Sequence, residues 1–158
     1  MGRSQKLAQV AADKDTGALA GNGPTFSAYK NATQSITANV NTKVTFQVEE
    51  WDTASCYDTS TSRFTPNVAG YYLIATGVSM GNYTNRYTAK LYKNGSAYKV
   101  LQNNTGNGTN DDGVFGSAIV YLNGSTDYVE MYVEGNNTAT VQSGADQAWF
   151  QGCLVARV

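Results

Sequence analysis

The strand-like runs of this chain sort into two kinds, those in which apolar and polar positions alternate with a period of two and those that break the alternation, and the second kind is the informative one. In 43–51, Val44, Phe46 and Val48 alternate with Thr45, Gln47 and Glu49; in 126–134, Val129, Met131 and Val133 alternate with Tyr128, Glu130, Tyr132 and Glu134. Strands of that kind wet one face. The runs 70–80, 114–122 and 149–158 instead carry apolar residues at both parities, as in Tyr71-Tyr72-Leu73-Ile74-Ala75 and Ala118-Ile119-Val120-Tyr121-Leu122. They belong in one sheet covered on both sides. A two-sheet sandwich leaves the outer face of each sheet wet, so the second cover comes from outside the fold, and further copies of the same chain are its nearest source.

With 26–30, 87–93 and 97–101, these runs make eight predicted strands at the spacing of a sandwich or jelly roll. Two connections, 93–96 and 122–125, contain Asn-Gly, which suits the paired positive φ angles of a type I′ hairpin turn. Thr, Asn, Gly and Ser are frequent and Pro is rare, which also favours strands and tight turns.

The first 25 residues differ. Leu7, Val10 and Ala11 have helical spacing, broken by polar and Gly-rich stretches at 13–17 and 21–24. The expectation is a short helical arm and linker (1–25) that anchors a single domain (26–158) to a larger partner. At 158 residues the chain can bury one sizeable core.

Charge excludes some partners. The net charge is −1 and the 11 Lys and Arg are scattered, so the footprint of a nucleic-acid binder is missing. No apolar stretch approaches the roughly 20 residues of a membrane helix, which predicts no membrane insertion. The weakly apolar 7–12 is too short for a secretory signal, so synthesis in the cytoplasm without an export label is expected. Cys56 and Cys153 cannot build a disulfide framework and are expected to be free thiols.

Catalytic chemistry is sparse. Histidine is absent, which removes Ser-His-Asp and Cys-His mechanisms and the commonest zinc ligand. Glu49 and Glu50 point to opposite faces of one strand, unlike the facing carboxyls of a glycosidase. Asn110, Asp111 and Asp112 lie in a long polar loop, 102–113, but match no calcium-loop spacing. No catalytic residue, metal or cofactor is expected.

Five strings occur in family order: Phe26-Ser27-Ala28-Tyr29; Arg63-Phe64-Thr65-Pro66-Asn67-Val68-Ala69-Gly70-Tyr71-Tyr72-Leu73-Ile74; Leu91-Tyr92-Lys93-Asn94-Gly95; Gly116-Ser117-Ala118-Ile119-Val120-Tyr121-Leu122-Asn123-Gly124; and Phe150-Gln151-Gly152-Cys153-Leu154-Val155. On these the chain resembles the trimeric jelly-roll family of the complement component q head and tumour necrosis factor. The resemblance implies an all-β, two-sheet jelly roll of about ten strands whose inner sheet packs around a threefold axis. It further implies that Tyr72, Ile74, Val120 and Leu122 enter the sandwich, while Leu73, Ala75, Ile119, Tyr121, Phe150 and Leu154 form the trimer interface.

The Thr- and Asn-rich loops are similar to versions of this domain in bacteriophage virion proteins. The expected function is therefore non-enzymatic: a homotrimeric capsid decoration, or cement, protein on the virion surface, bound to the major capsid protein or another virion protein through the arm. A 12-residue helix reaches only about 18 Å, enough to dock but hardly to project. The alternative is a tail-fibre or receptor-binding knob reading a host-surface glycan or protein through tyrosines such as Tyr83, Tyr92 and Tyr98.

Overall fold

The three doubly apolar runs do share one sheet, side by side. The computed structural model describes residues 23–81, 86–106 and 112–158. They form thirteen strands in two sheets, with no helix among the described residues: β1 (Thr25–Tyr29), β2 (Gln34–Ile36), β3 (Thr42–Lys43), β4 (Val48–Asp52), β5 (Tyr57–Asp58), β6 (Arg63–Phe64), β7 (Ala69–Gly81), β8 (Arg86–Lys93), β9 (Ser96–Thr105), β10 (Asp112–Asn123), β11 (Val129–Gly135), β12 (Ala139–Val141) and β13 (Ala148–Arg157). The helical arm predicted around Leu7, Val10 and Ala11 lies outside the described residues.

In the first sheet the long strand β7 lies between β10 and β13, and β13 continues to β1 and β4. A short pair, β12 and β2, is added to the sheet beside the last two residues of β7. The second sheet runs β5-β6-β11-β8-β9, with β3 also on β11. Neighbouring strands are antiparallel throughout. Because β1 is antiparallel to β13, with Thr25 opposite Cys153 and Tyr29 opposite Trp149, the start of β1 sits beside the end of β13. The Leu154 amide donates to the Pro24 carbonyl at 3.1 Å and ties the two together.

Between the sheets lies an aromatic centre. Phe26 stacks on Phe64 at 4.3 Å and on Tyr57 at 5.0 Å, and meets Phe150 edge-on at 5.0 Å. Such offset and edge-on pairs add about 0.5–1.5 kcal/mol each beyond the area they bury. The phenols that enter the core keep a partner, as buried polar groups must: Tyr57 donates to the Phe46 carbonyl at 2.9 Å and Tyr72 to that of Val68 at 2.7 Å. Tyr72, Ile74, Val120 and Leu122 are all core residues, as the resemblance implied.

Two local expectations need correction. The run 43–51 is not one strand: β3 joins the second sheet and β4 the first, and the intervening residues cross the sandwich with Val44 and Phe46 buried on the way. Inside–outside alternation survives such a crossing, so the pattern alone reads as a single strand. The Asn94-Gly95 hairpin forms with φ of 53° and 77°, as a type I′ turn requires. The 122–125 segment is no hairpin, because β10 and β11 lie in different sheets. There the Asn123 side-chain oxygen accepts from the amides of Ser125, Thr126 and Asp127, and Gly124 alone takes a positive φ, 71°. Asn-Gly is used here for side-chain capping of a wide turn.

Candidate functional site: an uncovered apolar face

Side chains of the first sheet that turn away from the sandwich form ladder rows across β10, β7 and β13. Tyr121 pairs with Tyr71; Ile119, Leu73 and Cys153 form the next row; Ser117, Ala75 and Gln151 the next; Phe115, Gly77 and Trp149 the last. Large apolar groups in these rows are open: Ile119 is 50% exposed, Phe115 48%, Tyr71 46%, Tyr121 40% and Leu73 37%. Trp51 of β4 and Val155 of β13 extend the patch. None of the residues in these four rows carries a charge.

Glycine shapes the surface at one place. A Cβ on Gly77 would lie 2.5 Å from the Phe115 ring and 2.9 Å from that of Trp149, so only glycine lets both rings lie over β7. At the β13–β1–β4 side the face dips into an open hollow of about 340 Å³ walled by Trp51, Leu73, Ala75, Gln151 and Cys153.

Of the residues assigned to the trimer interface, Leu73, Ala75, Ile119 and Tyr121 lie together on this face. Phe150 and Leu154 do not. Phe150 is fully buried and Leu154 9% exposed, both inside the sandwich, so their assignment is corrected. The reason is parity: Gly152, between them, faces Ile74 and Phe26 so closely that a Cβ there would come within 2.6 Å of Ile74. Even-numbered positions of β13 therefore point inward as far as Leu154, and the outward ones are Trp149, Gln151 and Cys153. A run apolar at both parities does not announce which set is which. The neighbours on β7 do, once the pairing is known.

The outer face of the second sheet has another character. Glu130 is 1% exposed and accepts from Arg63 at 2.8 Å and Lys43 at 3.2 Å. Lys90 pairs with Glu134, and Lys93 with Asp127 at 2.9 Å. Tyr92 stacks on Tyr132 at 3.8 Å and the Arg63 guanidinium lies 4.2 Å over the Tyr128 ring. Across β8 and β11 polar groups satisfy one another, and the open apolar side chain in the Lys90 row is Val100 of the edge strand β9, 57% exposed.

The remaining candidates do not converge. Tyr98 is exposed on β9, Tyr92 is engaged by Tyr132, and Tyr83 lies outside the described residues. So do Asn110 and Asp111, while Asp112 opens β10. Glu50 accepts from the Ser27 hydroxyl at 2.7 Å and Glu49 is exposed. Among the described residues no three Cys, Asp or Glu side chains gather as a metal site would need. Both cysteines are free thiols, Cys56 buried and Cys153 half-buried on the open face, and burial pushes the Cys56 thiol up.

The family model described as "C1q domain" matches residues 25–155, which is the whole described sandwich but for its extremes. The chain belongs to the C1q domain family. Solved structures agree on the fold. This C1q domain superposes on the globular domain of zebrafish complement 1qA with a TM-score of 0.64 at 20% identity, covering 85% of this chain and 99% of that one. It superposes on the Eiger TNF of S. frugiperda with a TM-score of 0.66 at 11% identity (86% and 95% covered), and on murine APRIL with 0.67 at 9% (84% and 98%). A curated relative, "Uncharacterized protein YqcC" of Bacillus subtilis (strain 168), is 35% identical over 98 residues, 58% of this chain and 26% of the relative. The chain thus spans about a quarter of the length that this relative would offer for matching.

Proposed function

We propose that this C1q domain is a non-enzymatic assembly module, a homotrimer held by the outer face of its first sheet. The observation that carries the reading is the uncharged patch around Leu73, Ile119 and Tyr71. Aromatic side chains offer about 150–250 Å² each, so the half-exposed groups amount to on the order of 600 Å² per copy, near the ~800 Å² per partner of a standard interface. At roughly 25 cal/mol per Å² that much apolar surface favours association strongly. The three-copy arrangement follows the resemblance to the complement q head and tumour necrosis factor, whose domains pack as trimers. Sedimentation equilibrium at micromolar protein is expected to give three times the chain mass. A monomer sinks the reading.

The setting we propose is the surface of a bacteriophage particle, where the trimer serves as a capsid decoration protein held to the head lattice through residues 1–25. Its support is the likeness of the Thr- and Asn-rich strings to virion versions of the domain, together with the apolar spacing of Leu7, Val10 and Ala11. Gold-labelled antibody on intact particles, viewed by electron microscopy, is the test. Label over the heads supports decoration. Label at tail tips assigns the receptor-binding alternative, and particles without label end both.

A further inference from the structure

The open face has a ridge and a hollow at opposite edges. Strand β10 is the outermost strand on one side and raises Phe115, Ile119 and Tyr121; the hollow under Trp51 lies toward β4, the outermost strand on the other. The two differ in shape but not in charge, since neither carries an ionic side chain.

We infer that the hollow is completed by a second copy: Ile119 of one protomer seats in the hollow walled by Trp51, Leu73 and Cys153 of the next, and the pairing repeats around the ring. This rests on the trimeric reading above and states which groups make it. Head-to-tail contacts of this kind close into a ring when the rotation per copy allows. Rotation about an axis along the strands preserves height, so a residue meets the ladder row it already occupies. Ile119, Leu73 and Cys153 share one row. Phe115 stands four residues away along β10, roughly 13 Å at strand rise, and faces a different level of the neighbour. The hollow, about 340 Å³, has ample room for a branched aliphatic group.

Cys153 makes the inference testable in the full chain. Within one copy Ile119 and Cys153 lie two strands apart, about 9.5 Å, beyond the roughly 4.4–6.8 Å between Cα atoms that a disulfide spans. In Ile119→Cys, a bond to Cys153 therefore has to join two copies. Oxidation with excess diamide until the free-thiol count is constant, followed by a non-reducing gel, is expected to give a ladder ending at covalent trimers. Phe115→Cys, and Ile119→Cys combined with Cys153→Ser, are expected to stay unlinked. Circular dichroism and light scattering before oxidation check that each variant folds and associates. Variants that scatter as trimers but give no ladder, or a ladder ending at dimers, overturn this pairing while leaving the trimer in place. Folded variants and wild type that all scatter as monomers overturn the trimer itself.

Discussion

Among the described residues Lys30 is a cation buried without an anionic hydrogen-bond partner, and its removal has a pH signature that can be worked out beforehand. The residue is 1% exposed, and its ammonium donates to Thr45 Oγ1 at 2.9 Å, to the Thr45 carbonyl at 3.1 Å and to Gln34 Oε1 at 3.1 Å, all neutral partners. Loss of hydration lowers its pKa from 10.5 to about 8. A displacement of that size corresponds to a penalty on the order of 3 kcal/mol on the charged form in the folded chain. Below pH 8 both states hold the proton and the penalty is complete. Between 8 and 10.5 the unfolded chain holds more protons than the folded one, so stability rises with pH. Roughly 2 kcal/mol should be recovered by pH 9.5. Buried acids work the other way: the Cys56 thiol, pushed up from 9.0, stays protonated in the folded chain while the unfolded one ionises, which offsets part of that gain, and above pH 10 Tyr72, pushed up to about 12, and Tyr57, higher still, reverse the sign. Urea unfolding followed by tryptophan fluorescence, at fixed protomer concentration, should show the stability difference between wild type and Lys30→Met shifting by roughly 2 kcal/mol in favour of wild type from pH 7 to 9.5. A difference that stays constant, or that shifts in favour of the variant, over this window refutes the reasoning.

Two other outcomes follow from packing and charge. Gly135→Ala would place a Cβ 2.0 Å from the buried Tyr87 ring, and is expected to cost about 3 kcal/mol by overpacking, read as a lowered urea midpoint. In acid, hydrogen bonds from Lys90 hold the Glu134 carboxyl below its usual range, and those from Asn94 and Lys93 do the same for Asp127. Their stabilisation is complete above the unfolded carboxylate range and is lost as pH falls through the lower folded values. Glu134→Gln should therefore narrow the stability gap between pH 5 and pH 2.5, measured by the same unfolding curves.

Double-parity apolar runs are rare enough to identify their sheet, and 70–80, 114–122 and 149–158 did so before any pairing was known. What the pattern could not supply was phase in the last run. Phe150 and Leu154 look as able to face a neighbour as Gln151 and Cys153 do, and only the close approach of Gly152 to Ile74 decides it. The short strands β2, β5, β6 and β12 were silent for a different reason. Two or three residues hold too few apolar positions to display a period, and their placement is set by partners such as Gly81 and Met80 opposite Thr140 and Val141. Trp51 escaped notice as part of the face because 43–51 reads as one strand, whereas its second half pairs with β1 in the other sheet. Of the functional reading, the uncovered face was legible; its hollow depends on four strands coming together and was not.

The start of β1 lies beside the end of β13, whereas the end of β7 and the beginning of β10, at Gly81 and Asp112, lie at the far pole of the sandwich near Ala148. A bead with both cords emerging from one hole can be strung anywhere along a longer polypeptide, and sequence spliced onto either flank leaves the opposite pole unobstructed. Natural recombination could therefore move this bead between unrelated stalks without reshaping the end it presents to the outside.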